Sequence, residues 1–135
     1  MSGPTAEGRA DVELRLPADN AYVSVLRTTS AGLAARLDFT LDEIEDLRMA
    51  VGEACALVLP RAVHGSDVDC RFYLASGRLT VVVGVDAADA SPPDTDSFAW
   101  QVLTTLADEA TTSVAGGRYE ITLSLRSELE KDATG

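Results

Sequence analysis

The spacing of apolar residues along the chain predicts three helices. The clearest stretch runs from Thr40 to Leu59, where apolar residues recur at steps of three and four and predict one long amphipathic helix. Thr40 and Glu43 have the spacing of a capping box, and Pro60 predicts the end of this helix, because a residue before proline disfavours the α conformation. Similar spacing predicts helices from Asp19 or Asn20 to about Arg36 and over 97–108.

Strict alternation of apolar and polar residues predicts the strands. The alternation is clearest in four segments, 12–16, 68–74, 79–85 and 119–125. A fifth, shorter strand is expected over 111–115, just before the last of them. Ser76-Gly77 and Gly116-Gly117 predict hairpin turns. The resulting order, β-α-α-β-β-α-β-β, predicts an α+β fold: a two-layer sandwich with a mostly antiparallel sheet, covered on one face by three helices.

These patterns indicate a single domain over residues 11–126, with flexible tails at 1–10 and 127–135. Residues 86–96 lack apolar periodicity and contain two prolines, so they are expected to form a long loop. The last strand contains no proline and is expected to need covering, which fits a homodimer.

The charge balance narrows the range of functions that the protein can have. The chain has 22 acidic and 11 basic residues and a net charge of −11, which argues against direct binding of nucleic acid. An acidic surface helps solubility and permits a basic protein partner. No apolar run approaches the ~18 residues of a membrane span, and the first residues lack signal-peptide features, so we expect a cytoplasmic protein that does not enter the membrane.

Common catalytic and metal motifs are missing from the sequence. It has no dinucleotide fingerprint, P-loop or nucleophile elbow, and His64 forms no metal-binding pattern with Cys55 and Cys70. Both cysteines fall on inward faces of predicted elements, which favours buried structural thiols over a redox pair.

Three segments, taken together with the order of elements, carry a family resemblance: DLRMAVGEACALVLPRA (46–62), LTVVVGVDAADAS (79–91) and SFAWQVLTTLADEATTSVAGGRYEITLSL (97–125). Over roughly residues 11–126 the chain resembles GHKL ATPases, and more narrowly the RsbW/SpoIIAB type of anti-sigma factor, which is also a serine kinase. Phe98 and Trp100 at the start of the third helix resemble an actinobacterial branch.

The resemblance implies a role for several positions in phosphoryl transfer with ATP and Mg²⁺. Glu53 matches the family's base, and Asp86 matches the acceptor for the adenine amine. The Mg²⁺-binding Asn of the family corresponds to Leu57, which has no oxygen ligand to offer, and Arg61 fills a nearby histidine position.

The family's phosphate-loop glycines are also replaced. Ala88 and Ala90 stand where the first loop has glycines, and Ser97 and Ala99 stand where the second has them. Glycine permits close backbone approach and positive φ, which other residues resist. These substitutions predict that binding of ATP and Mg²⁺ is weak or lost, and no residue is assigned as a metal ligand.

The resemblance also implies protein partners. Counting back from Glu53 without gaps places the family's sigma-contacting arginine at Arg27, where a solvated arginine is the alternative. Such an arginine could pair with a partner carboxylate through two hydrogen bonds. The implied partners are an alternative sigma factor, an anti-anti-sigma protein of the STAS type and a second copy of the chain.

Four functional hypotheses follow. In the first, the chain sequesters an alternative sigma factor in stress response or development, and a STAS antagonist releases it. In the second, it is an active serine kinase that phosphorylates that antagonist, with Glu53 as base and Asp86 at the adenine. The third is the ATPase domain of a histidine kinase, which lacks a preceding phosphoacceptor helix here, and the fourth is an unrelated two-layer α+β domain.

Overall fold

The computed structural model describes residues 8–88, 91 and 94–128. Within them the secondary structure runs in the order β1 (Val12–Pro17), α1 (Val23–Arg36), α2 (Leu41–Val58), β2 (Asp67–Ala75), β3 (Arg78–Asp86), α3 (Phe98–Leu106), β4 (Glu109–Ala115) and β5 (Arg118–Arg126). Short 3₁₀ turns at Asn20–Tyr22 and Leu59–Arg61 precede α1 and follow α2. The predicted order of elements is confirmed.

The strands form one sheet with the order β1-β2-β3-β5-β4, and every neighbouring pair is antiparallel. The helices pack on one face of this sheet, with α2 in the middle in contact with both α1 and α3. The predicted α+β two-layer class is therefore confirmed. The buried face of α2 meets the alternating inward positions of β3 and β5 to form the core, whose members include Leu47, Val51, Ala54, Val58, Val81, Val83, Ile121 and Leu123.

Local sequence signals set the helix ends. The Thr40 hydroxyl accepts a hydrogen bond from the Glu43 amide, and the Glu43 carboxylate accepts one from the Thr40 amide, so the predicted capping box is confirmed. Asp19 caps the 3₁₀ turn rather than α1 itself, which begins at Val23. This helix therefore starts later than the sequence pattern predicted.

The β4–β5 hairpin closes through a two-residue turn at Gly116 and Gly117, with φ values of 61° and 75°. Positive φ at both central positions is typical of a type I′ turn, and glycine adopts it without strain. The turn was predicted from the sequence, and it fixes the register in which Val114 faces Tyr119.

The prediction that the last strand would need covering is wrong. β5 lies inside the sheet, paired with β3 on one side and β4 on the other. The edges are β1 and β4, because the chain returns from α3 to add β4 outside β5. An edge-based dimer would therefore use one of these two strands.

Ser127 does not fit the prediction of a flexible tail that begins at residue 127. It is buried, and its amide donates to the Gly77 carbonyl at 2.8 Å. Residues 1–7 and 129–135 of the predicted tails lie outside the described residues. Among the described helices, none has the length and apolar character needed to cross a membrane.

Candidate functional site

The second half of α2 carries Glu53 and Leu57, which match the positions of the family's base and of its Mg²⁺-binding Asn. Glu53 is half-buried and lies between the buried residues Val51 and Ala54. Leu57 follows one turn later, so the two side chains share a side of the helix. Leu57 packs against the hydrophobic core. The position next to the glutamate thus presents methyl groups, where a Mg²⁺ ligand would have to present oxygen.

Arg61, just beyond α2, ties three parts of the chain together. Its guanidinium lies over the ring of Tyr119, 4.4 Å from the ring centroid, and also donates a hydrogen bond to the Ser91 carbonyl. Its own carbonyl accepts a hydrogen bond from the Ala88 amide at 2.9 Å. Arg61 therefore holds the start of the loop after β3 against the end of α2.

Further backbone contacts fix the end of β3. Ala62 and Ala87 form an antiparallel bridge, and the Val63 amide donates to the Asp86 carbonyl at 2.8 Å. The Ala87 amide donates to the Gly117 carbonyl at 2.7 Å, which joins the loop to the β4–β5 turn. Ala88 is exposed, and Ala90 lies outside the described residues. The first of the two degenerate phosphate-loop positions is thus held by backbone pairing.

Asp86 lies on the face of the sheet that carries no helices. Along β3 the residues that face the core are Val81, Val83 and Val85, so the next position in the alternation faces away from α2. Its carboxylate pairs with Arg118 at 3.3 Å, and its side chain is 67% exposed. The structure does not bring Asp86 to the helical side where Glu53 lies, and this geometry counts against a direct adenine contact.

Arg118 is the centre of an ion-pair network on this outer face. It also pairs with Asp69 at 2.7 Å and with Glu120 at 3.0 Å, and Glu120 pairs with Arg71 at 3.0 Å. Burial alone would lower the pKa of Arg118, but its hydrogen bonds to Asp69 and Glu120 outweigh this and raise that pKa. This network was not predicted from the sequence, although the alternation in β2 and β5 already placed its members on the polar face.

The second pair of degenerate positions lies at the start of α3. Ser97 is the N-cap of this helix, and its hydroxyl accepts a hydrogen bond from the Trp100 amide at 3.2 Å. Ala99 lies in the first turn and is half-buried. Ser97 thus has a structural task in capping α3.

Arg27 lies on the side of α1 that faces α2. A Cβ added at Gly52 would lie 3.8 Å from the Arg27 Cδ, so the arginine stem extends across this glycine. Its Nε is buried and has no hydrogen-bond partner within the described residues. The residue is half-buried, which excludes a fully solvated arginine.

The two thiols are buried, as predicted. Burial raises the pKa of the Cys55 thiol to about 12, and the charge of Arg27 only partly opposes this. Burial likewise raises the pKa of Cys70. Protonated thiols are poor nucleophiles, so neither cysteine has the properties of a reactive site at neutral pH. No cluster of three or more metal-ligating side chains occurs in the described part of the chain.

This arrangement fits Mg-ATP poorly. Of the residues that the resemblance assigns to the base, the metal and the adenine, Glu53 combines suitable chemistry with a place on the helical side. Leu57 supplies no ligand, and Asp86 pairs with Arg118 on the other face.

Comparisons with known proteins agree with the fold. A family model described as the histidine kinase-like ATPase domain matches residues 16–122. The serine-protein kinase RsbW of Bacillus subtilis is 40% identical over 75 residues, which cover 53% of this chain and 47% of the relative. RsbW of Bacillus velezensis is 39% identical over a stretch of the same length and coverage. The chain spans about half the length of these curated relatives.

A solved structure supports the same architecture. The crystal structure of the RsbU and RsbW domains of a Mycobacterium tuberculosis protein superposes with a TM-score of 0.66 over 86% of this chain and 32% of the other. At 15% identity this likeness concerns the fold alone. The family model matches most of the sequence, and the chain therefore belongs to the histidine kinase-like ATPase domain family.

Proposed function

We propose that the chain is an anti-sigma factor, which binds and sequesters an alternative sigma factor and whose ATP binding is weak or lost. The observation that carries the proposal is the side chain at Leu57, which packs against the core beside Glu53 where catalysis with Mg²⁺ would need an oxygen ligand. The similarity to RsbW proteins supplies the class of partner. Release by an anti-anti-sigma protein of the STAS type is part of the same proposal.

Phosphoryl transfer depends on cradling the phosphates and neutralising their charge. The positions that would do this carry Leu57, Ala88, Ser97 and Ala99 in the described residues. Arg61 holds the loop after β3, and Asp86 pairs with Arg118. A scaffold with these features can still present its helices to a protein partner, which requires no nucleotide.

An active serine kinase is the second candidate. It is favoured by Glu53, which is half-buried on α2 as a positioned base would be, and by the kinase relatives. In that case the substrate would be the anti-anti-sigma factor, and the metal would need ligands other than Leu57.

A Mg-ATP titration separates the two candidates. We expect no change in melting temperature between buffer and millimolar Mg-ATP, because the described residues provide neither a metal ligand at position 57 nor a free adenine acceptor at Asp86. A ligand at 100 times its dissociation constant would add about 2.7 kcal/mol, a shift of several degrees in a domain of this size.

The outcomes of the titration are distinct. A clear shift, together with phosphorylation of the STAS partner that Glu53→Gln abolishes, would put the kinase first. A shift that survives Asp86→Ala would show that ATP binds without this carboxylate. Complex formation with purified sigma factors of the source organism, one at a time and without nucleotide, then tests sequestration directly.

We also propose that two copies pair through β4. This edge strand, EATTSVA, has one charged residue, and α3 before it has none, in a chain with a net charge of −11. Antiparallel self-pairing centred on Thr112 would place Ala110 opposite Val114 and Thr111 opposite Ser113, without opposing charges. The uncharged helix α3 also carries Phe98, whose apolar side chain is 78% exposed.

Light scattering tests this dimer. We expect a mass of about twice the 14.2 kDa of the chain at micromolar concentration. Ser113→Lys places a charge on the exposed side of the edge and should give the monomer mass, because charged residues block edge pairing. Arg15→Lys, on the opposite edge strand, is the control and should leave the mass unchanged. A monomeric parent chain would refute the proposal.

A further inference from the structure

Two arginines face each other on the outer face of the sheet. Arg78 on β3 and Arg126 on β5 are direct cross-strand partners. Thr80 and Ser124 form the next pair on the same face, two residues away along each strand, and this face points away from the helices. Because side chains alternate along a strand, Arg78 and Arg126 also point away from the helices. Like charges directly opposite each other on a sheet are destabilising, so the pair needs a compensating group.

The described residues do not supply that group. Arg71 and Arg118 on the same face are paired with carboxylates, whereas neither Arg78 nor Arg126 forms an ion pair in the described ranges. In a chain with twice as many acidic as basic residues, two facing arginines that find no carboxylate partner among the described residues are unexpected.

Buried hydroxyl groups lie beside the arginines. Thr80 is 2% exposed and Ser124 is fully buried, although no helix covers this face. The Ser124 Oγ has no hydrogen-bond partner among the described residues. A buried hydroxyl without a partner is costly. Thr80 also lines an adjacent cavity, where a hydroxyl can donate to an anion.

A cavity borders this arrangement. It has a volume of about 290 Å³ and is lined by Arg78, Thr80, Tyr73 and the more N-terminal Arg9, among others. Asp11 also lines it, but its carboxylate already accepts a hydrogen bond from the Leu74 amide at 2.8 Å. The cavity therefore contains more positive than negative charge, with room for more than a water molecule.

We propose that this arginine pocket, lined by Arg9, Arg78 and Thr80 and flanked by Arg126 on the neighbouring strand, binds a tetrahedral oxyanion of the phosphate class. The guanidinium groups of Arg9 and Arg78 and a hydroxyl offer more donors than the two oxygens of a carboxylate can accept, whereas phosphate presents up to four oxygens. The pocket is on the opposite face of the sheet from Glu53, so it is separate from the nucleotide site that the family fold implies. It also does not depend on the anti-sigma proposal.

Titration with sodium phosphate, against sodium chloride at equal ionic strength, tests the pocket. We expect a saturable rise in melting temperature with phosphate alone, accompanied by amide chemical-shift changes in β3 and β5. Arg78→Gln should abolish the response without lowering the melting temperature in chloride, because it removes one of two opposed charges. Arg126→Gln provides the same test independently. Arg36→Gln, at the exposed end of α1, should keep the response.

Several results would overturn the proposal. An equal effect of phosphate and chloride would show ionic strength only, and an equal effect of acetate would refute the phosphate class. A response kept in both Arg78→Gln and Arg126→Gln, or lost in Glu53→Gln instead, would place the anion elsewhere. If both arginine variants are destabilised in chloride and still respond to phosphate, the arginines have a packing role.

Discussion

Replacing Tyr119 by alanine should lower the free energy of unfolding by about 3–5 kcal/mol, the range for removing a large aromatic side chain from a core. Tyr119 is the largest fully buried side chain of the described residues, and its ring also supports the Arg61 guanidinium. Its loss would leave a cavity under β5 and release the arginine that holds the loop after β3. In a domain of this size the melting temperature should fall by roughly 10 °C or more.

Two matched variants separate packing from the arginine contact. Tyr119→Phe keeps the ring and should cost little. Tyr119→Leu keeps an apolar side chain but removes the ring face, and should cost at least about 0.5–2 kcal/mol more than Tyr119→Phe, since the lost cation–π contact adds to the cost of the smaller side chain. Chemical denaturation measures all three. A cost for Tyr119→Ala below about 1 kcal/mol would mean that the site collapses around the loss.

The layers and most of the elements could be predicted from the sequence. The 3.6-residue period of α2, the two-residue period of β2, β3 and β5, and the capping box at Thr40 and Glu43 are local signals, and the structure confirms each. The glycine turn of the last hairpin was equally visible, because its backbone conformation requires residues that tolerate positive φ.

The strand order was not fully predictable. Alternation shows which residues share a face, but it does not show that β5 lies between β3 and β4. The wrong prediction that the last strand would need covering arose because alternation does not give the strand order. The edge position belongs to β4, a shorter strand with a weaker pattern.

The ion-pair network around Arg118 shows a second limit of prediction from the sequence. Asp69 on β2 and Glu120 on β5 are separated by β3, and the residue between them in register is Gly84. A Cβ added at Gly84 would lie 2.5 Å from Arg118 Nη2, so the missing side chain is what lets the network close across the middle strand. A glycine within a strand pattern signals such close approach, yet the partners that use the space depend on strand order.

The placement of the candidate residues follows in part from local patterns. Glu53 and Leu57 are one turn apart on α2 and share a side of that helix, while their roles stay predictions. Matching single positions to a family motif placed Asp86 at the adenine, but the alternation of β3 directs it to the outer face, where Arg118 pairs with it. The strand period was already in the sequence, and applying it to position 86 would have revealed the conflict.

Replacing Arg27 by alanine should weaken binding of the sigma factor by at least about 30-fold, or ~2 kcal/mol, the lower end of the loss when one partner of a buried charge pair is truncated. The stem of Arg27 is held against Gly52, and its Nε is buried without an acceptor among the described residues. A partner carboxylate would pair with the guanidinium group of this half-buried arginine, and a stem already packed against Gly52 loses little further conformational entropy on binding.

Calorimetry with the sigma factor identified by complex formation measures the effect, and thermal unfolding of each variant controls for folding. Arg27→Lys keeps the charge but not the planar fork, so it should recover only part of the affinity. Arg36→Ala removes an exposed arginine from the end of the same helix and should change affinity less than twofold. If Arg27→Ala binds normally but melts at a lower temperature, the arginine serves to pack α1 on α2, and the sigma-binding surface must be sought on another part of the protein.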